Sequence, residues 1–205
     1  FYSPKLWYLG GMKFSMEAEN LLVGEIQRFC SALQGKTKKC LILDLDNTLW
    51  GRVVGEEGME GIELSDFQQG ARFKDFQKRL SELKNLGVLL AVVSKNNPED
   101  ALEVFEKHPH MVLREEDFVA MKVNWNRKAE NIRELARELN LGVDSFVFVD
   151  DNPIERELVK KELPELEVPD FPKDTSGLER FAQELYFRHF FKIDLTEEDT
   201  KKHLQ

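Results

Sequence analysis

Three apolar runs of strand length, Cys40–Leu45, Val88–Val93 and Ser145–Val149, alternate with longer segments of helical period, and each run stops abruptly at polar residues. A continuous apolar run marks a strand covered on both faces, because a half-exposed strand alternates apolar and polar positions. Strands of this kind alternating with amphipathic helices demand right-handed crossovers, and hence a parallel sheet between two helical layers. The expected architecture is α/β: a Rossmann-like, three-layer parallel sheet of about five strands with helices on both faces.

The remaining elements follow from period and punctuation. Ser15 is placed to cap a helix carrying Leu21, Leu22, Ile26 and Phe29, with Gly35 to end it, and the stretch holding Trp7, Tyr8, Leu9 and Met12 reads as an arm packing on the core. Trp50 to Ser65, with glycines at 51, 55, 58 and 61, reads as a flap or short hairpin. Phe67, Phe73, Phe76, Leu80 and Leu83 define a long helix ending at Gly87. Pro98 opens a helix to Lys107, and Ile132, Leu135 and Leu139 mark another from Lys128, with one more following Pro153. Met111–Leu113 is expected as a third strand and Leu166–Val168 as a weak fifth. A helix over Leu178–Phe191 carries Phe181, Tyr186, Phe187, Phe190 and Phe191, assigned to packing because aromatics bury large areas. These elements divide the chain into an N-terminal arm and helix, 1–38, a catalytic core, 39–169, and a C-terminal aromatic helix with a frayed charged tail, 170–205.

At 205 residues and 41% hydrophobic, the chain has material for one good core. A net charge of -9 argues against nucleic acid as partner, since that affinity rests on Lys and Arg contacts to phosphates. The two cysteines, Cys30 and Cys40, form no metal or disulfide motif and fit a reduced, cytoplasmic setting. No apolar stretch approaches the roughly 18 residues of a membrane span, and no secretory signal pattern opens the chain. It begins at Phe1 without a methionine, as expected of a piece of something longer.

The polar strand ends carry the chemistry. Aspartate is depleted in strands and next to buried apolar runs, yet the first run leads straight into Asp44 and Asp46, with Thr48 beyond. The second ends in Ser94, Lys95 and Asn96; the fourth ends in Asp150 and Asp151, preceded by a helix that starts at Lys128. In doubly wound sheets ligands sit at the carboxyl ends of the strands. One carboxylate of the first pair can attack phosphorus while its neighbour moves a proton. Asp44 and Asp150 offer hard oxygens to Mg²⁺, with Asp46 and Asp151 as further metal candidates. Thr48, Ser94, Lys95, Asn96 and Lys128 are candidates for holding the phosphate. Each alone fits a solvated turn; their convergence at successive strand ends does not.

Asp44-x-Asp46-x-Thr48, Ser94, Lys128 and Asp150-Asp151 resemble the four motifs of the haloacid dehalogenase (HAD) superfamily, mostly phosphatases and phosphotransferases working through a phospho-aspartate. The resemblance implies Asp44 as nucleophile, Asp46 as general acid then base, and Mg²⁺ held by Asp44, the Asp46 carbonyl and Asp150, with Asp151 acting through water. Longer phrases, Cys40-Leu-Ile-Leu-Asp-Leu-Asp-Asn-Thr-Leu-Trp-Gly51, Val53-Val-Gly-Glu-Glu-Gly58, Ser94-Lys-Asn-Asn-Pro98, Leu113-Arg-Glu-Glu-Asp-Phe118 and Phe146-Val-Phe-Val-Asp-Asp-Asn-Pro153, resemble the FkbH-like branch of subfamily IIIC. That branch, free or embedded in polyketide synthases, usually lacks a large cap. It is associated with loading a glyceryl unit from 1,3-bisphosphoglycerate onto an acyl carrier protein with loss of phosphate.

The resemblance implies a three-carbon phosphorylated substrate and a carrier's phosphopantetheine arm as partners. Trp50, Arg52 and Trp125 are candidates for touching either, the alternative for the tryptophans being to fill the space of a missing cap. Cys40 begins the strand that Asp44 ends, about 13 Å away, and reads as a small core residue. Cys30, the other candidate, sits on the helix that Ser15 caps and carries no supporting motif, so direct transfer to the carrier thiol is the expected route. A plain phosphatase on a small metabolite or phosphoprotein, and an idle carrier-docking module, are the competing readings.

Overall fold

The computed structural model describes residues 2–11, 13–34 and 37–192; Met12, Gly35 and the charged tail lie outside the described residues. Residues before Lys38 form one compact unit and Lys38–Phe190 another. In the first, α1 (Pro4–Gly10) is capped by the Ser3 hydroxyl and α2 (Met16–Leu33) by the Ser15 hydroxyl, which accepts from the Ala18 N–H at 3.3 Å. Trp7, Tyr8, Leu9, Leu21, Leu22, Ile26 and Phe29 are exposed.

The second unit carries a four-stranded, all-parallel sheet in the order β3-β2-β1-β4, with β1 Cys40–Leu43, β2 Leu89–Ser94, β3 Ala120–Val123 and β4 Phe146–Val149. Side chains alternate across the sheet, and both faces are buried. Leu41 and Leu43 join one core, with Phe73, Phe76 and Leu80 of α4 (Gln68–Asn85) and Val104 and Phe105 of α5 (Pro98–Lys107). Cys40 and Ile42 join the other, with Ile132 and Leu135 of α6 (Lys128–Glu138) and Val159 of α7 (Pro153–Glu162). Thus the three apolar runs are β1, β2 and β4, buried on both faces as the parallel-sheet reading requires, and the α/β three-layer expectation holds.

Two strand assignments are corrected. Met111–Leu113 is a buried connection, not a strand: the N–H groups of Val112 and Leu113 go to the Gln77 carboxamide at 2.9 and 3.2 Å instead of to a neighbouring strand. The third strand is instead Ala120–Val123, only half-buried as suits a sheet edge, and its mixed composition hid it. The expected fifth strand reduces to a single bridge, in which Phe148 N–H donates to the Glu167 carbonyl at 2.9 Å.

The glycine-rich flap is pinned at its base by an antiparallel bridge between Gly51 and Glu63 and contains one helical turn, α3 (Val54–Glu57). Gly51 is required there, since a Cβ would stand 2.7 Å from the Phe73 ring. The aromatic C-terminal segment packs in part: α8 (Leu178–Leu185) is shorter than the expected helix and lies on α4, with Phe181 stacked on Phe76 at 6.4 Å between ring centroids and Phe190 buried, while Phe187 is exposed.

Candidate active site

The sheet runs outward from β1 to β2 and β3 on one side, and to β4 on the other, so its order reverses between β1 and β4. At such a reversal the crossover helices diverge and leave a crevice at the carboxyl edge. Asp44 leaves β1 there, its N–H donating to the Val149 carbonyl at 3.0 Å, and Asp150 leaves β4 beside it. Lys128, the first residue of α6, reaches in from the helical layer. Its Nζ lies 2.9 Å from Asp44 Oδ2 and 2.6 Å from Asp150 Oδ2, and all three residues are buried.

Asp151 completes a set of three carboxylates, with Asp44 and Asp150, whose ligand atoms all lie within 4.8 Å of one another. One ammonium faces three acids, and the titration behaviour reflects that excess. Burial opposes the charge on Lys128, but Asp44 and Asp150 outweigh it and leave the ammonium pKa raised. Burial, and then the neighbouring Asp44 charge, raise the Asp150 carboxyl. Burial, followed by Asp44 and Asp150, pushes Asp151 up to about 7. Among the described residues, Asp44 Oδ1 is the only buried side-chain oxygen or nitrogen with no hydrogen-bond partner. A buried carboxylate oxygen left unpaired is costly. A hard divalent cation would satisfy that atom and offset the excess charge, and an all-oxygen donor set fits Mg²⁺ rather than a thiophilic metal.

Asp46 stands apart from the three acids and is fixed by donors. Its Oδ1 accepts from Trp50 Nε1 at 2.8 Å and from the Val54 N–H at 3.0 Å; its Oδ2 accepts from Asn96 Nδ2 at 2.8 Å. A carboxylate has about four lone-pair sites, so one on Oδ2 stays open for a proton. Burial raises the Asp46 pKa, and the bonds from Val54 and Trp50 work against that rise. The Asn96 amide is itself oriented, since its Oδ1 accepts from the Asn97 N–H at 3.0 Å.

The expected site residues divide accordingly. Asp44, Lys128, Asp150 and Asp151 meet at one point, Asp46 and Asn96 bond to each other, and Ser94 is buried at the carboxyl end of β2. Others take different parts. Thr48 is fully buried, and its hydroxyl accepts from the Asp151 N–H at 3.3 Å, bracing the acidic loop rather than facing a ligand. Trp50 is fully buried against Phe105, so it orients Asp46 and cannot touch substrate. Lys95 is drawn to Glu155 at 2.6 Å, and Arg52 to Glu63 at 3.1 Å. Only Trp125 among the three substrate-contact candidates presents a broad open ring, with Nε1 donating to Asn97 Oδ1 at 3.0 Å.

Two supporting residues escaped the sequence reading. Arg156 Nη1 donates to the carbonyls of both Asp150 and Asp151 at 2.8 Å, holding the turn that presents them. Gln77 is fully buried, and its amide nitrogen donates to the Leu49 carbonyl at 2.8 Å behind the Asp46 loop. A glutamine on the apolar face of α4 was the legible signal for the second. For Arg156 no signal exists in its local sequence.

This architecture defines the class: the fold is HAD-like. The HAD domain of the effector protein Lem4 from Legionella pneumophila, an inactive mutant, shares it with a TM-score of 0.52 at 12% identity, covering 82% of this chain and 100% of that one. A nearer likeness is the N-terminal part of the protein BF1531 from Bacteroides fragilis, which contains a phosphatase domain and is complexed with Mg. It is 41% identical with a TM-score of 0.86, over 93% of this chain and 50% of that chain, so this chain spans about half the length of that relative. No protein-family profile and no curated protein matches the chain.

Proposed function

We propose that this chain is a Mg²⁺-dependent phosphatase that works through a phospho-aspartate on Asp44. The observation that carries the proposal is the unpartnered Asp44 Oδ1, buried beside Asp150 and Asp151 and held from its other oxygen by Lys128. The Mg-bound phosphatase domain at 41% identity supports the same reading. Asp44, Asp150 and Asp151 would hold the ion, which supplies Lewis-acid neutralisation of phosphate charge.

The chain's own groups account for the bond changes. An Asp44 oxygen attacks phosphorus as the bond to the leaving oxygen breaks, and Asp46 delivers the proton that oxygen needs. Water then attacks the phospho-aspartate, Asp46 takes its proton, and the bond from phosphorus to Asp44 breaks. Lys128 fixes the nucleophile's rotamer and places positive charge where phosphoryl charge develops. Trp50, Val54 and Asn96 keep Asp46 aimed through both steps. Trp50→Phe keeps a ring in the core but removes one donor to Asp46. Its kcat for phosphate release should fall about tenfold with KM little changed. Unaltered kcat in a folded variant would remove Trp50 from the mechanism.

The FkbH-like phrases favour a finer reading, in which the substrate is 1,3-bisphosphoglycerate and the glyceryl group passes to an acyl carrier protein. Cys40 does not serve as a way station: it is fully buried, and burial drives its thiol pKa far up, away from the reactive thiolate. Cys30 is exposed on α2 but carries no supporting motif, so the favoured acceptor is the carrier's own phosphopantetheine thiol. Incubating the protein with Mg²⁺, 1,3-bisphosphoglycerate and a phosphopantetheinylated carrier should release phosphate and add a glyceryl group to the carrier's intact mass. Phosphate without the adduct reduces the function to a plain phosphatase. Neither product leaves a docking module.

A further inference from the structure

A groove of about 580 Å³ adjoins the acidic site, sharing Asp151 with it and lined further by Asn47, Arg156, Asp170, Phe171, Lys173 and Thr175. That volume suits a small-molecule site. Its lining mixes charges of both signs. Arg156 is anchored by its Nη1 to the two carbonyls of the Asp150-Asp151 turn, which leaves the other guanidinium nitrogens without a partner among the described residues. Phe171 is fixed by an edge contact with Phe181 at 5.8 Å and gives the groove an apolar floor. Lys173 lines the groove from the turn leading to α8 and pairs with no carboxylate among the described residues.

The acidic neighbours of Lys173 are engaged elsewhere. Asp170 lies 3.7 Å from Lys160, and Asp174 binds the Ser176 hydroxyl at 2.7 Å and sits 3.5 Å from Arg72. Arg72 also donates to Thr175 Oγ1 at 2.9 Å, which ties the turn to α4. Arg156 and Lys173, neither with a carboxylate partner among the described residues, thus line a groove that borders the three-carboxylate cluster through Asp151, while Asp170 on the same groove is turned to Lys160. Neutral leaving groups have no use for the two cations.

We infer that this groove receives the leaving group of the phosphate ester and selects esters that carry a second anionic group, read by Lys173 with Arg156. The inference rests on the phosphatase reading, since it takes Asp44 as the point where the ester's phosphorus sits. The reacting phosphoryl group lies at Asp44, the carbon chain runs past Asp151 and over Phe171, and the distal carboxylate or phosphate meets Lys173.

The test uses two esters of the same carbon count, 3-phosphoglycerate and glycerol 3-phosphate, which differ by a carboxylate in place of a hydroxymethyl group. Both are titrated calorimetrically, with Mg²⁺ present, into the unreactive Asp44→Asn protein. The carboxylate ester should bind about tenfold tighter, as a charge-assisted bond provides. Lys173→Ala in the same background should abolish that preference, and Lys173→Arg should keep it. Because the readout is a ratio between ligands, a general loss of folded protein cannot mimic it. Equal affinities in the parent, a preference that survives Lys173→Ala, or no measurable binding of either ester overturns the inference. Failure of the phosphatase reading registers separately, as absence of phosphate release from every ester by the unsubstituted protein whatever the affinities.

Discussion

The Asp44→Asn protein should release phosphate at least about 1,000-fold more slowly than the unsubstituted one, because the amide is no longer the nucleophile that forms the covalent intermediate. Its thermal stability should not fall. The site sets three carboxylates against the one ammonium of Lys128, so removing one negative charge relieves repulsion in the metal-free protein while Asp150 keeps its 2.6 Å bond to Lys128. Asn is nearly isosteric, and its oxygen can still accept from Lys128. An active site that opposes stability in this way is what function selects against the demands of folding alone. Phosphate release assays and thermal denaturation, both with and without Mg²⁺, measure the two effects. A variant that retains turnover ends the phospho-aspartate mechanism, and one that unfolds shows that Asp44 holds the fold together.

That opposition is also why the site was readable in the chain. Asp44 and Asp150 break the apolar pattern of strands whose neighbours, Leu43 and Val149, are fully buried, and a break of this kind has no folding rationale. Strands β1, β2 and β4 were legible for the complementary reason, since continuous apolar runs fit only a sheet covered on both sides. Strand β3 was not. Ala120–Val123 is only half-buried and includes Lys122, so no apolar run marks it, whereas Met111–Leu113 is apolar yet satisfies its backbone through Gln77. Long-range partners lay equally out of reach. Nothing near Trp50 announces that its indole N–H belongs to Asp46, and nothing near Thr48 announces the Asp151 N–H. Such roles are set by the fold bringing loops together, so residue type and motif position alone assigned both side chains to the ligand.

Removing Lys128 should have the opposite effect on stability from removing Asp44. Lys128→Met keeps the length of the side chain but removes the ammonium, whose Nζ lies 5.8 Å from the Phe148 ring centroid, and leaves Asp44 and Asp150 buried without their shared cation. Breaking a buried pair by deleting one partner costs about 3–5 kcal/mol, because the remaining charge is uncompensated. For a chain of this size that is a fall in Tm of about 10 °C. Mg²⁺ should then recover more stability in the variant than in the unsubstituted protein: the acidic cluster keeps all three carboxylates and loses the ammonium, so the ion becomes their only counter-charge. Catalysis should not recover with stability, since Mg²⁺ cannot restore the rotamer that Lys128 imposes on Asp44 or the donor it offers the phosphoryl group. Thermal denaturation across a Mg²⁺ titration, paired with phosphate release on the same samples, separates the two roles. A Tm that neither falls on substitution nor climbs more steeply with Mg²⁺ would show that the three acids are not bound together by charge, and the reading of this crevice as a cation site would fall with it.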